Sequence, residues 1–167
     1  MRLKGTLVQG YRVDSGLSTR DTRFPQGTLR MQAPFFAAEG LDYNTYFNGN
    51  FTWGTLNMDM KTIAYKQKRS DWFFKNIHWT NLQPAENFFV TKATIHFNGK
   101  EYKGLWYNPD PSTKPNHFQY PTIIQFIAET IPDITYGDEF EVEIDDAMID
   151  AWEHTPAADD PNLKAWL

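Results

Sequence analysis

Hydrophobic and polar positions alternate along Phe51–Met60. Trp53, Thr55, Asn57 and Asp59 fall on one side, and Leu56, Met58 and Met60 on the other. A period of two is that of a half-buried strand, so the apolar side is expected to face a core. The other side presents the side-chain oxygens of Thr55 and Asn57, beside Gly54, where the missing side chain leaves room for a close approach. The same alternation runs through residues 87–97 and 100–107, and Asn98-Gly99 between them predicts a β-hairpin. Residues 140–144 read as a strand with acids out and apolar groups in. Residues 72–80 are aromatic-rich and favour strand. Residues 2–13 predict a first strand with Leu3, Leu7, Val8 and Val13 in the core, and with bends at Gly5 and Gly10.

Other stretches depart from this alternation. In residues 121–131, Ile123, Ile124, Phe126, Ile127 and Ile131 follow Pro121 at helical spacing, which predicts a helix near the C-terminal end of the chain. A short helix is expected from Pro34 to Gly40, and another over residues 145–153, docked through Trp152. Residues 27–31 read as a short strand or turn. Residues 14–26, 61–71 and 108–116 read as loops or exposed connections, the second carrying Lys66, Lys68 and Arg69, and residues 154–167 read as a tail. No linker divides the chain. The expected organisation is one mainly β domain over residues 1–145, a small closed barrel, followed by a helix and tail over 146–167 that form no separate domain.

Composition narrows the chemistry. The chain has 167 residues, enough for one real core, and 16% are aromatic. A net charge of −5 argues against a broad basic surface for nucleic acid. The absence of cysteine excludes disulfides, thiolate catalysis and Cys-based zinc sites. No apolar run is long enough to span a membrane, and Met1-Arg2-Leu3-Lys4 leads straight into strand-like sequence, so a cytoplasmic protein is the expectation. His78, His96, His117 and His154 lack metal-ligand spacing, and no serine sits in a nucleophile elbow. Two chemistries remain. One is Mg²⁺-assisted phosphate handling at Thr55 and Asn57, the phosphates supplying the charge, with Arg20 and Arg23 of the first loop placed to meet an anion. The other is binding of a flat or sugar-like ligand on Trp53, Trp79 or Trp106.

The order of segments is similar to that of the archaeal CTP-dependent riboflavin kinases. The resemblance rests on Ser15-Gly16-Leu17 after the first strand, Gly54-Thr55-Leu56-Asn57-Met58, Asn98-Gly99-Lys100 with Gly104, Ile123–Ala128, and the closing Gly137–Ile144. It implies a six-stranded cradle-loop barrel that transfers phosphate from CTP to riboflavin with Mg²⁺, giving FMN. It also implies metal and phosphate ligands at Thr55 and Asn57, and a nucleotide-contacting loop at Ser15 and Gly16. Gly54 beside them and Arg20 in that loop complete the expected nucleotide-binding set. Where the family's loop continues with alternating glycines, this chain has Ser18-Thr19-Arg20-Asp21; where the family carries acids, it has Thr122 and Gln125. Two alternatives stand beside the kinase reading. One is a non-catalytic flavin-, nucleotide- or sugar-binding barrel. The other is an assembly protein contacting a partner through Trp152, Trp166 and Leu167.

Overall fold

The computed structural model describes every residue except 11, 13, 14, 19–21, 115–118 and 156–159; Val13, Arg20 and His117 therefore lie outside the described residues. In chain order the elements are β1 (Arg2–Val8), α1 (Thr28–Ala38), α2 (Tyr43–Tyr46), β2 (Leu56–Asp59), β3 (Ile63–Gln67), β4 (Trp72–Ile77), β5 (Glu86–Phe97), β6 (Lys100–Pro109), β7 (Ile123–Ala128), β8 (Glu139–Glu143), β9 (Ile149–Glu153) and α3 (Pro161–Lys164). Six of the strands close an antiparallel barrel in the order β5-β6-β7-β2-β1-β8, and β8 returns to pair with β5. The expectation of a small six-stranded β-barrel with few helices therefore holds.

Register explains what fills the barrel. Leu7 pairs with Met58, Met58 with Ile124, Trp106 with Phe126, and Ile95 with Val142. All of these are buried and belong to one inner core with Leu3 and Phe140. β8 completes the ring by pairing Leu3 with Val142 on one side and Ile95 with Val142 on the other. A second cluster lies against the other face of β5, β6 and β7. It is rich in aromatics, with Phe36, Phe74 and Phe88 fully or almost fully buried beside Leu105, Tyr107 and Ile127. It is supplied by α1, α2 and β4, the last pairing with the first half of β5.

Several expectations are corrected. Residues 121–131 hold no helix: they contain β7, whose six residues are all buried. Ile124 and Phe126 face the barrel interior while Ile127 faces the aromatic cluster, so the run is apolar on both faces and the helical spacing is coincidental. Residues 145–153 hold no helix: they contain a turn followed by β9, and β9 pairs with β3, so 61–71 is not a plain connection. Ile149 is buried in the inner core, while Trp152, expected to dock a helix, is 48% exposed on the strand. The helix expected at Pro34 begins six residues earlier, at Thr28, in the stretch read as strand or turn; Pro34 lies inside it. β2 is shorter than its alternation, and Phe51 and Trp53 join the aromatic cluster instead. The tail is not loose along its described length. Its short helix α3 leads to Trp166, which is 1% exposed and packs with Tyr120, Ile123, Val8 and Leu163. The helix near the C-terminus is thus α3.

Candidate functional site

Antiparallel order brings the end of β1, the start of β2, the end of β7 and the approach to β8 to one end of the barrel. There the walls enclose a cavity of about 500 Å³. β1 contributes Leu7 and, just beyond it, Gln9 and Arg12. The following turn contributes Ser15 and Leu17. The approach to β2 brings Thr52, Gly54 and Thr55, and β2 itself Leu56 and Asn57. The segment after β7 adds Glu129, Thr130 and Ile131, and Ile134, Thr135 and Tyr136 lie before β8. The floor and rim are apolar, with Leu17 and Tyr136 both more than half exposed at the opening. A polar strip of hydroxyls and amides runs down one wall. Such a mixture of apolar lining and few convergent polar groups is that of a small-molecule pocket.

Of the residues expected at a ligand, Ser15, Gly54, Thr55 and Asn57 meet in this one cavity. A side chain on Gly54 would lie 3.3 Å from Ser15 Cβ, which shows how closely the turn after β1 approaches the strand entry. Gly16 (φ +80) instead lies against the backbone of Pro25 and Gly27 and does not line the cavity. Arg20 is outside the described residues. Arg23 stacks over the Phe24 ring at 5.0 Å, away from the cavity wall. The three tryptophans considered as platforms are placed elsewhere. Trp106 is fully buried in the barrel, Trp79 is buried with its indole N–H donating to Glu86 Oε2 at 2.8 Å, and Trp53 sits under Arg30 at 5.3 Å.

Asn57 is not on a wet face, as it is only 4% exposed. Its Nδ2 donates to the Gln9 carbonyl at 3.2 Å, while its Oδ1 accepts from Thr55 Oγ1 at 3.1 Å and from Gln125 Nε2 at 3.0 Å. One layer deeper, buried Asp59 Oδ1 accepts from Thr122 Oγ1 at 3.0 Å and from the Lys61 amide at 2.9 Å. Thr122 and Gln125 are therefore the partners of the β2 polar residues from across the sheet. The donor set bears on Mg²⁺. The Asn57 Oδ1 atom accepts from both Thr55 Oγ1 and Gln125 Nε2, so this oxygen is not open to a cation in this arrangement. No cluster of three His, Asp or Glu side chains able to hold a metal occurs among the described residues. As it stands, Asn57 does not fit the part of a Mg²⁺ ligand.

Two charged groups in the cavity lie outside the expected set. Arg12 falls within residues 2–13, where a strand is expected, yet it adopts φ 60, a left-handed conformation, beyond the end of β1. Its carbonyl accepts from Ser15 Oγ at 3.1 Å and from the Leu17 amide at 3.1 Å, which folds the turn back onto the cavity. Glu129 follows β7, and its Oε1 accepts the Lys103 amide at 2.6 Å. Near it, burial, aided by the carboxylates of Asp71 and Glu129, raises the Tyr46 phenol above its ordinary pKa. Gly10 beside Arg12 was a usable signal, since a glycine there marks the end of the strand (its φ is +66). A side chain on Gly10 would run into both Asn57 and Trp166, and the Gly10 amide donates to the Trp166 carbonyl at 3.0 Å, which ties the tail to the back of the site.

The chain matches no family model and no curated protein sequence.

Proposed function

We propose that this protein is a small-molecule-binding barrel whose ligand, of the flavin or nucleotide class, sits in the cavity beside Asn57. The observation that carries the reading is convergence. Ser15 is far in sequence from Gly54, Thr55 and Asn57, yet these residues, all expected at a ligand, line one cavity of about 500 Å³ with an apolar rim. The volume suits a fused aromatic ring or a nucleoside. The carboxamide of Asn57, held from three sides, is a fixed recognition group rather than a movable metal ligand.

Phosphate transfer from CTP to riboflavin with Mg²⁺ is the second reading. It is favoured by the presence of the Glu129 carboxylate in the same cavity, where a hydroxyl acceptor would need a base. Against it stand the engaged oxygen of Asn57 and the charge supply. Arg12 is the single cationic side chain among the described residues lining the cavity, and phosphoryl transfer depends on several positive groups or metal ions.

Calorimetry with riboflavin, FMN, CTP and ATP, each with and without Mg²⁺, tests both readings. Binding of a flavin without conversion to FMN in the presence of CTP and Mg²⁺ supports the binding barrel. Production of FMN establishes the kinase. If no flavin and no nucleotide binds, both readings fall. Asn57→Ala is expected to weaken binding at least tenfold, since it removes a buried hydrogen-bonding group from the wall.

A further inference from the structure

We infer that Arg12 is the head-group receptor of this cavity, and that its occupant carries one anionic group, a phosphomonoester or a carboxylate, on an apolar or aromatic body. The inference rests on the cavity being the ligand site, as proposed above, and adds the charge of the ligand and the residue that reads it.

Three observations carry it. Arg12 lines the cavity half-buried, and its guanidinium has no ion pair or hydrogen bond with a described residue. By contrast Arg2 is held by Glu141 and Glu143, and Lys4 by Glu139. A guanidinium drawn partly out of water, with no carboxylate partner among the described residues, is suited to a ligand anion, which it can hold in a forked geometry. Second, Arg12 holds φ 60, which a non-glycine residue rarely adopts, and the turn that fixes it is closed by hydrogen bonds from Ser15 and Leu17 to its own carbonyl. Strained backbone of this kind collects at ligand clamps. Third, the charges limit the ligand. Arg12 is the single cation and Glu129 the single carboxylate among the described lining residues, so they balance. A triphosphate would place several negative charges against one arginine and a carboxylate. A ligand with one anionic group engages Arg12 and leaves its body to Leu17, Ile134 and Tyr136.

The test compares the full chain with Arg12→Gly, Arg12→Gln and Arg12→Lys. Glycine accepts φ 60 without strain, so Arg12→Gly removes the cation while relieving the backbone. Calorimetry is run with FMN, riboflavin and CTP-Mg²⁺. Amide NMR shifts of Ser15, Gly54 and Thr55 are followed with phenyl phosphate, benzoate and phenol. FMN is expected to bind roughly tenfold more tightly than riboflavin. Phenyl phosphate or benzoate should shift those amides while phenol does not. The preference should vanish in Arg12→Gly and Arg12→Gln and return in part in Arg12→Lys. A response to phenyl phosphate alone names a phosphomonoester, and a response to benzoate alone names a carboxylate. Equal binding of FMN and riboflavin, together with no response to benzoate, overturns the inference and leaves the cavity reading standing. An Arg12-dependent response to phenyl phosphate without any flavin binding supports the inference and removes the flavin. A preference that survives in Arg12→Gly and Arg12→Gln, no response to any anion, or CTP-Mg²⁺ binding more tightly than FMN also overturns it.

Discussion

The two faces of β5, β6 and β7 are covered in different ways. The inner face meets the other strands of a closed ring, where each residue is fixed both by the backbone ladder and by an aliphatic-rich core of Leu3, Leu7, Met58, Ile95, Ile124 and Val142. The outer face meets α1, α2 and the edge strand β4, and these are held chiefly by rings. Phe36 stacks on Phe74 at 4.3 Å and meets Phe88 edge-on at 5.1 Å. Phe24 tilts on Trp79 at 5.0 Å. The barrel distributes its stabilisation around a circuit that no single residue controls. The outer layer concentrates it in a few large side chains, each of which buries much apolar area.

The difference sets an order of expected effects. Phe36→Ala should be the most damaging, costing about 3–5 kcal/mol, because a fully buried ring with three aromatic neighbours leaves a cavity. Urea denaturation gives the loss, and amide exchange locates it. Exchange confined to α1, α2 and β4 upholds the contrast, whereas equal exposure of β1 and β8 would show that the two faces unfold as one. Gly5→Ala tests the ring itself. A Cβ there would lie 2.5 Å from Met58 Cγ and 2.6 Å from the Asp59 carbonyl, and the latter is ladder backbone that cannot turn aside. A loss of about 1–3 kcal/mol in the same assay is expected. Thr122→Val keeps the shape and removes the donor to buried Asp59, which retains the Lys61 amide, so about 1 kcal/mol should be lost. An unchanged midpoint would remove this bond from the structural account.

The smallest effect is electrostatic. The N-terminal ammonium both hydrogen-bonds and attracts Asp146, lowering its carboxyl pKa below the ordinary aspartate value. A lowered pKa in the folded state contributes stability that is complete above the unfolded value and is lost as pH falls through the folded one. The pair is exposed, so the contribution is slight. Acid titration of wild type against Asp146→Asn should show the two stability curves converging below about pH 4, the region of the ordinary aspartate pKa. Curves that stay parallel would rule the pair out as a source of pH dependence.

The same contrast explains what could be read from the chain. The β5–β6 hairpin was legible because Asn98 and Gly99 take φ 50 and φ 74, which those residue types favour, and because alternation runs on both sides of them. β7 was not, since a strand covered on both faces loses its alternation and Ile123-Ile124-Gln125-Phe126-Ile127-Ala128 fits a buried helix equally well. β9 was missed because Asp150, Ala151 and Glu153 are weak strand formers, and its partner β3 is what holds it extended. At the site, Thr55 and Asn57 were visible through their shared strand face. Their engagement with each other and with Gln125 was not, because it depends on which strand lies alongside. Arg12 was hidden for a similar reason. Its left-handed backbone is imposed by the turn that folds back on it, and arginine itself carries no local sign of that conformation.

β8 carries a consequence for how the chain reaches its fold. It is the strand that joins β1 to β5, and through it Arg2 meets Glu141, 139 residues away. While the chain is being made, β1 emerges first, but the strand that covers its second edge emerges almost last. Until then β1 and the far half of β5 both present bare edges, the form in which chains pair wrongly with one another. A nascent chain halted between β7 and β8 is thus an open sheet rather than a smaller barrel. Folding of this protein is expected to be slow and to depend on β8, because the contact that closes the circuit is also among the most distant in sequence.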